Sequence, residues 1–479
     1  MNATNHIVNR LFRSAISLEA AILLLCFLSF RGGSLYANQF QETMTLEGVW
    51  LFEMNHKDIG YAQFYFDFEH EGNKFEAHSQ KGRLKNILGP TKSFLARATS
   101  KSFKKGAILH LINGTITDDN KLEAIFVSSL GNFRLNGTIQ EGVITGSLSR
   151  KGKIFGKMMG SYKGDYEVLE NYNLIIDSAL ASTNQYICNP SLLEQKAYRK
   201  FKKKLTKFGD DCVDDIELIF AFYYFKRKLP FSHYFLFRPA VDKESISLDE
   251  VETEKDDNKV TLENKEHDIA ILRIESFDIE PERLDSIFNI LKKGKSKHLI
   301  IDLRNNPGGN IAGLKVISNI INKPIYGGVF LTNKWFKEHS TPPAVAEYES
   351  FPVLSEANLS LLWDGIHNEK GLVIKAIPEK ERYEGEVWAL VNGSTASTCE
   401  PIVYSLKQHK LGTVVGTTTA GAMLNGEQFN LEHGWSITIP TADYYTSDGY
   451  HIDQKGVEPD IVVKDNALQY VIQSITRQN

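Results

Sequence analysis

The chain has 479 residues, 42% hydrophobic and 24% charged, with 55 basic against 59 acidic side chains and a formal net charge of −4. That length allows about three domains with sizeable cores, and the balanced charge excludes a general attraction to nucleic acid or anionic membrane. Cys26 lies in the N-terminal apolar run, so Cys188, Cys212 and Cys399 remain. Three thiols are too few for a disulfide scaffold or a cysteine-rich metal site, although Cys188 and Cys212 are candidates for pairing. No metal or cofactor is expected.

In chain order, Arg10 and Arg13 precede the apolar run AAILLLCFLSF (20–30), and SLYA (34–37) offers a small residue at Ala37. This is signal-peptide anatomy over 1–37, and the protein is expected to be exported, periplasmic or secreted. An uncleaved segment would anchor it in the membrane instead, although the run falls short of the roughly 20 residues of a span. From 45 to 163 apolar residues alternate, as Phe64, Phe66 and Phe68 do in FYFDF, with Asn113-Gly114 and Asn136-Gly137 as turn pairs. The pattern predicts an antiparallel β domain with one solvated face and no chemistry of its own.

The period turns helical over 165–240, where Tyr198, Phe201, Leu205 and Phe208 share one face and lysines and arginines the other. The basic face reads as a solvated helix surface. Residues 241–267 are charge-dense and poor in aromatics, which suits a mobile connector or a marginal hairpin. An α/β region follows over 268–479: strand DIAILRI (268–274), helix 281–295 opening on Pro281, strand HLIIDLR (298–304), helix 310–321, strand EVWALVN (386–392) and a helix from near Ser397. Residues 335–380 show no clear period and read as an insertion over the sheet, placed to act as a lid.

Two stretches carry chemistry. In LIIDLRNNPGGN (299–310) a strand ends and Pro307-Gly308-Gly309 turns tightly before a helix, exposing the free N–H groups an oxyanion requires. Neither dinucleotide nor Walker glycine spacing is present. In VNGSTASTCE (391–400) Ser397 sits at a strand–turn–helix junction, where a side chain projects at the carboxyl edge of the sheet. Ser394 and Thr395 suit the turn, Glu400 suits capping or packing, and Cys399 is a second candidate nucleophile in an apolar setting.

DLRNNPGG, STCE (397–400), GTTTAGA (416–422) and KGVEPDIVV (455–463) stand in the order found in the C-terminal processing and tricorn-type serine peptidases, which residues 268–465 resemble. The resemblance implies a crotonase-like ββα spiral for the α/β core, Ser397 as nucleophile, and an oxyanion hole from the N–H of Thr398 with that of Gly308 or Gly309. Processing peptidases place a lysine after the glycine of their T-x-G-K segment, whereas this chain has Ala422, so the base must come from elsewhere. The tricorn branch uses an upstream Ser-His pair, which maps to Ser232 and His233 in LPFSHYFLF (229–237), with His233 as base and Ser232 as its orienter. For the acid, Asp453 matches best, with Glu458 and Asp460 as competitors, and His451 ranks second as base.

The resemblance thus implies an exported serine peptidase acting on peptides or unfolded polypeptide. The peptide-binding PDZ module usual in the family has no room here, since only about thirty residues separate Leu236 from Asp268. The alternative is a catalytically inactive ligand- or peptide-binding protein on the same fold, as the related retinoid-binding domains are. Oligomeric state is not readable from the sequence.

Overall fold

The computed structural model describes residues 46–248, 259–294 and 296–478; the segment 1–37 and the middle of the charged connector lie outside the described residues. Eight antiparallel strands, Gly48–His56, Gly60–Glu71, Lys74–His78, His110–Ile116, Lys121–Ser128, Gly131–Gln140, Val143–Arg150 and Lys153–Tyr162, close into a barrel, Trp50 of the first strand lying opposite Tyr162 of the last. The alternation expected from FYFDF places Phe64, Phe66 and Phe68 inside, against Phe52. Full closure leaves no edge strand to pair with other chains.

Two expectations fail here for physical reasons. Asn113-Gly114 and Asn136-Gly137 lie within strands; the two-residue turns fall instead at Gly72-Asn73, Ser129-Leu130, Glu141-Gly142 and Lys151-Gly152, and in the last two all four residues have positive φ. Gly114 is small because the Phe75 ring lies over it: a Cβ there would come within 2.5 Å of the ring. Nor is the outer face of the second strand solvated. Tyr65 is buried, and the helix Asp215–Lys226 covers it, with Asp215 accepting from the Gln63 N–H at 2.8 Å and Glu217 holding Arg83 at 2.7 Å.

Helices Tyr172–Tyr186, Lys196–Gly209 and Asp215–Lys226 form the helical region, and the predicted face of Tyr198, Phe201, Leu205 and Phe208 is the buried one. Its apolar core is continuous with the barrel interior and extends to Leu424, Trp435, Ile437 and Ile439 of the α/β region.

The α/β region holds two sheets. The first orders Val260–Lys265, Ile269–Ile274, His298–Asp302, Glu386–Val391, Thr413–Gly416 and Ile461–Val462, antiparallel at its first pair and parallel thereafter. The connector therefore ends as one strand of a hairpin. The second orders Val353–Leu354, Gly371–Ala376, Ile325–Thr332, Ser436–Thr446 and Leu424–Asn430, with Phe235–Phe237 also pairing to Ser436–Thr446. The insertion 335–380 thus contains two strands of this second sheet, Val353–Leu354 and Gly371–Ala376, and a helix, Leu359–Asn368. The helix expected over 310–321 shrinks to a 3₁₀ turn, Ile311–Gly313, and a short helix, Leu314–Ser318. In the first sheet the loops after Ile274, Asp302, Val391 and Gly416 leave at one carboxyl edge, where ligand sites of parallel sheets gather.

Candidate active site

The turn that carries Ser397 is pinned from both sides. The buried strand Glu386–Val391 ends, and Thr395 Oγ1 accepts from the Asn392 N–H and donates to the Leu303 carbonyl, each at 2.9 Å. The Ala396 N–H donates to the Asn306 carbonyl at 3.0 Å, which ties this turn to the glycine turn. Ser397 is thereby held at φ 54°, a left-handed conformation that costs a non-glycine residue roughly 1–3 kcal/mol and persists where neighbours enforce it. Glu400, fully buried, supplies much of that enforcement. One of its oxygens accepts from the N–H groups of Ser397 (3.1 Å) and Ala422 (2.8 Å), the other from the Thr419 hydroxyl (2.6 Å) and the Gly421 N–H (2.8 Å). Burial raises its carboxyl pKa, and these four donors pull against that rise.

Gly308 and Gly309 have φ values of 101° and 142°, and a Cβ on Gly308 would lie 2.5 Å from Ser397 Cβ and 3.0 Å from its Oγ. Only a bare backbone passes the serine so closely. The Gly308 N–H donates to the Asn306 side chain at 2.8 Å. Among the described residues the N–H groups of Gly309 and Thr398 have no partner, while the Thr398 hydroxyl donates to the Gly309 carbonyl at 2.8 Å. Thr398 opens the helix Cys399–Gln408, so its N–H is one of that helix's orphan donors.

His233 follows the helical region and also has positive φ, 52°. Its Nδ1 lies 2.8 Å from Ser232 Oγ, which lies 2.6 Å from Asp453 Oδ1; Asp453 Oδ2 accepts from the Ser232 N–H at 3.2 Å. Asp453, 1% exposed, also accepts from the Met423 N–H at 3.1 Å. Its burial raises its pKa, against the pull of the Ser232 hydroxyl. A hydroxyl has one proton, and a carboxylate only accepts. Ser232 therefore donates to Asp453 and accepts from Nδ1–H, which leaves Nε2 as the basic nitrogen of the neutral ring. Burial, and next the charge of Lys226, depress the His233 pKa to about 4.

His233, Ser397, Thr398 and Gly309 line one cleft of about 470 Å³. No hydrogen bond joins Ser397 Oγ to the His233 ring among the described residues; such contacts commonly tighten only around substrate. The competitors sit elsewhere. His451 Nε2 is bound to Asp443 at 2.8 Å with its ring stacked on Tyr445. Glu458 and Asp460 are exposed, Asp460 accepting from the Val414 N–H. Cys399 is buried with its thiol pKa raised, and Cys188 and Cys212 are free and buried rather than paired. Among the described residues no group of three or more His, Cys, Asp or Glu is placed to hold a metal ion. Sequence reasoning missed Asn306, whose side chain captures the Gly308 N–H, and Gly426, whose Cβ would stand 3.2 Å from His233. Nothing in the spacing of either marks it.

The buried Glu400 clamp, the glycine turn and the strand–turn–helix serine thus meet in one part of the α/β region. Residues 268–463 match the model of peptidase family S41. A carboxy-terminal-processing protease of Bartonella bacilliformis is 26% identical over 205 residues, covering 42% of this chain and 39% of that protein. A carboxyl-terminal-processing protease of Synechocystis is 24% identical over 233 residues, covering 48% and 44%. The match thus spans less than half the length of these relatives. Among solved structures, a lipoprotein from Streptococcus agalactiae (17% identity, TM-score 0.42, 66% of this chain and 100% of that one) and the tricorn protease (12%, 0.43, 86% and 46%) are distant likenesses.

Proposed function

We propose that the protein is an exported serine peptidase that hydrolyses peptide bonds of peptides or unfolded polypeptide, with Ser397 as nucleophile and His233 as general base. The observation that carries this reading is the chain His233–Ser232–Asp453, which fixes the imidazole tautomer and leaves Nε2 as the basic nitrogen of a ring lining the same cleft as Ser397. Ser397 Oγ attacks the substrate carbonyl carbon while its proton passes to His233 Nε2. The resulting oxyanion lies against the N–H groups of Gly309 and Thr398. The imidazolium, stabilised through Ser232 by Asp453, returns the proton to the leaving amine as the C–N bond breaks. Water then repeats the attack on the acyl-enzyme with the same base, releasing the acid and restoring Ser397. A positioned base contributes typically about 10²–10⁴ in rate and an oxyanion donor about 10²–10³. A crotonase-like spiral for the S41 region and export by residues 1–37 belong to the same reading, the latter resting on the charge and apolar run of that segment.

In a peptide library Ser397→Ala should abolish turnover with the fold intact, and His233→Ala should lower it by about 10²-fold or more. Unchanged turnover in Ser397→Ala overturns the nucleophile, and a comparable loss in His451→Ala but not His233→Ala overturns the base. A folded protein that turns over nothing and resists a fluorophosphonate probe is the ligand-binding alternative.

A further inference from the structure

The cleft extends beyond what bond cleavage needs. From Thr398 it descends along one face of the nucleophile helix through Ile402 to Ser405, spaced four and three residues apart, so its wall starts at an oxyanion donor. Ile317, Phe330, Ile374 and, from the insertion helix, Leu362 complete an apolar lining. The lone carboxylate or ammonium among the lining side chains is exposed Asp278. Deep in this lining stand two hydroxyls, Ser405, 5% exposed, and Tyr444, 1% exposed, and neither forms a hydrogen bond within the described residues. Gly327 and Gly328 make room for the phenol: a Cβ on either would lie 3.6 Å and 2.6 Å from the Tyr444 oxygen. Hydroxyls of largely buried residues that line a cleft without a protein partner are placed to meet a polar atom of whatever enters it.

We propose that this is the specificity pocket for the side chain on the acyl side of the cleaved bond, and that it selects a large apolar residue ending in a hydrogen-bonding group, tyrosine above all. The inference rests on the peptidase reading given above. An acyl carbonyl held at the Thr398 N–H directs its own side chain along the Ile402 wall toward Ser405 and Tyr444. An aromatic ring fills the apolar shaft, and its phenol meets the two hydroxyls. Lysine, glutamate and aspartate meet no opposite charge there, and alanine leaves the shaft empty.

The test is kcat/KM on peptides differing only at that residue: Tyr, Phe, Leu, Ala, Lys and Glu. Tyrosine should be best, phenylalanine about tenfold lower, the worth of one hydrogen bond of about 1.4 kcal/mol, and Ala, Lys and Glu at least a hundredfold lower. Ser405→Ala and Tyr444→Phe should each move the Tyr-to-Phe ratio toward one. A flat series, a preference for Ala or a charged residue, or a ratio that neither variant moves overturns the assignment. Fluorophosphonate labelling run in parallel separates the two claims: labelling of Ser397 with a flat series removes the pocket alone, and no labelling of folded protein removes the peptidase reading and the pocket with it.

Discussion

Ser397 and His233 share a feature no spacing rule foretells: both are non-glycine residues in the left-handed region. For Ser397 the enforcer is Glu400, legible as the end of S-x-x-E and expected to cap or pack, but found to accept four hydrogen bonds beneath the nucleophile. Glu400→Gln places an amide against N–H donors, so it should cost about 1–3 kcal/mol in denaturant unfolding and lower kcat more than it changes KM. Equal stability and kcat would remove the clamp. Gly308→Ala keeps the backbone N–H yet drives a methyl group against Ser397, so turnover should fall at least a hundredfold while Asn306 still holds its donor. The resemblance left Gly308 and Gly309 open as the second oxyanion donor and ranked Asp453 ahead of Glu458 and Asp460 without excluding them. Those choices depend on which way a turn faces: the Asn306 side chain takes the Gly308 N–H, and Asp453 accepts from the Ser232 N–H.

At the scale of elements, legibility followed period. The helix Lys196–Gly209 was readable because its four large apolar residues return every three or four positions, and Phe201→Ala should cost about 3–5 kcal/mol, measured as a lower denaturation midpoint. The strand Gly371–Ala376 was not readable: six residues, mostly apolar, buried on both faces, carry neither a helical nor an alternating pattern. The barrel was predicted as antiparallel β while its turns were misplaced, since Asn-Gly marks both a hairpin turn and a spot where an aromatic ring lies on the backbone. Arg83, which joins the barrel to the helix Asp215–Lys226 through Glu217, is an element-scale tether that no local pattern announces. Removing it strands a buried carboxylate, and Arg83→Ala should lower stability by about 3 kcal/mol.

Across the whole molecule the proposed catalytic set is assembled from two apolar cores. The serine, the glycine turn and the Glu400 clamp belong to the core between the two sheets, whereas His233 follows directly on the core that runs from the barrel through the helices to the edge of the second sheet. The barrel is thus part of what places the proposed base, although its sequence showed no chemistry. Burial of that base sets the pH range. Held near 4, with Lys226 beside it and Asp453 reached through Ser232, His233 stays neutral and able to accept a proton until the pH falls to that value. The acid limb of kcat/KM should therefore lie near pH 4 rather than near the 6.5 of a free imidazole. A limb at 6.5 would mean that the base is another, more exposed group.

The central claim, that Ser397 is an activated nucleophile, is tested most directly by intact-mass and peptide mapping after fluorophosphonate treatment. The expected result is a single adduct on the peptide containing Ser397, absent in Ser397→Ala and strongly slowed in His233→Ala. No adduct on folded protein, or an adduct on another residue, would contradict it.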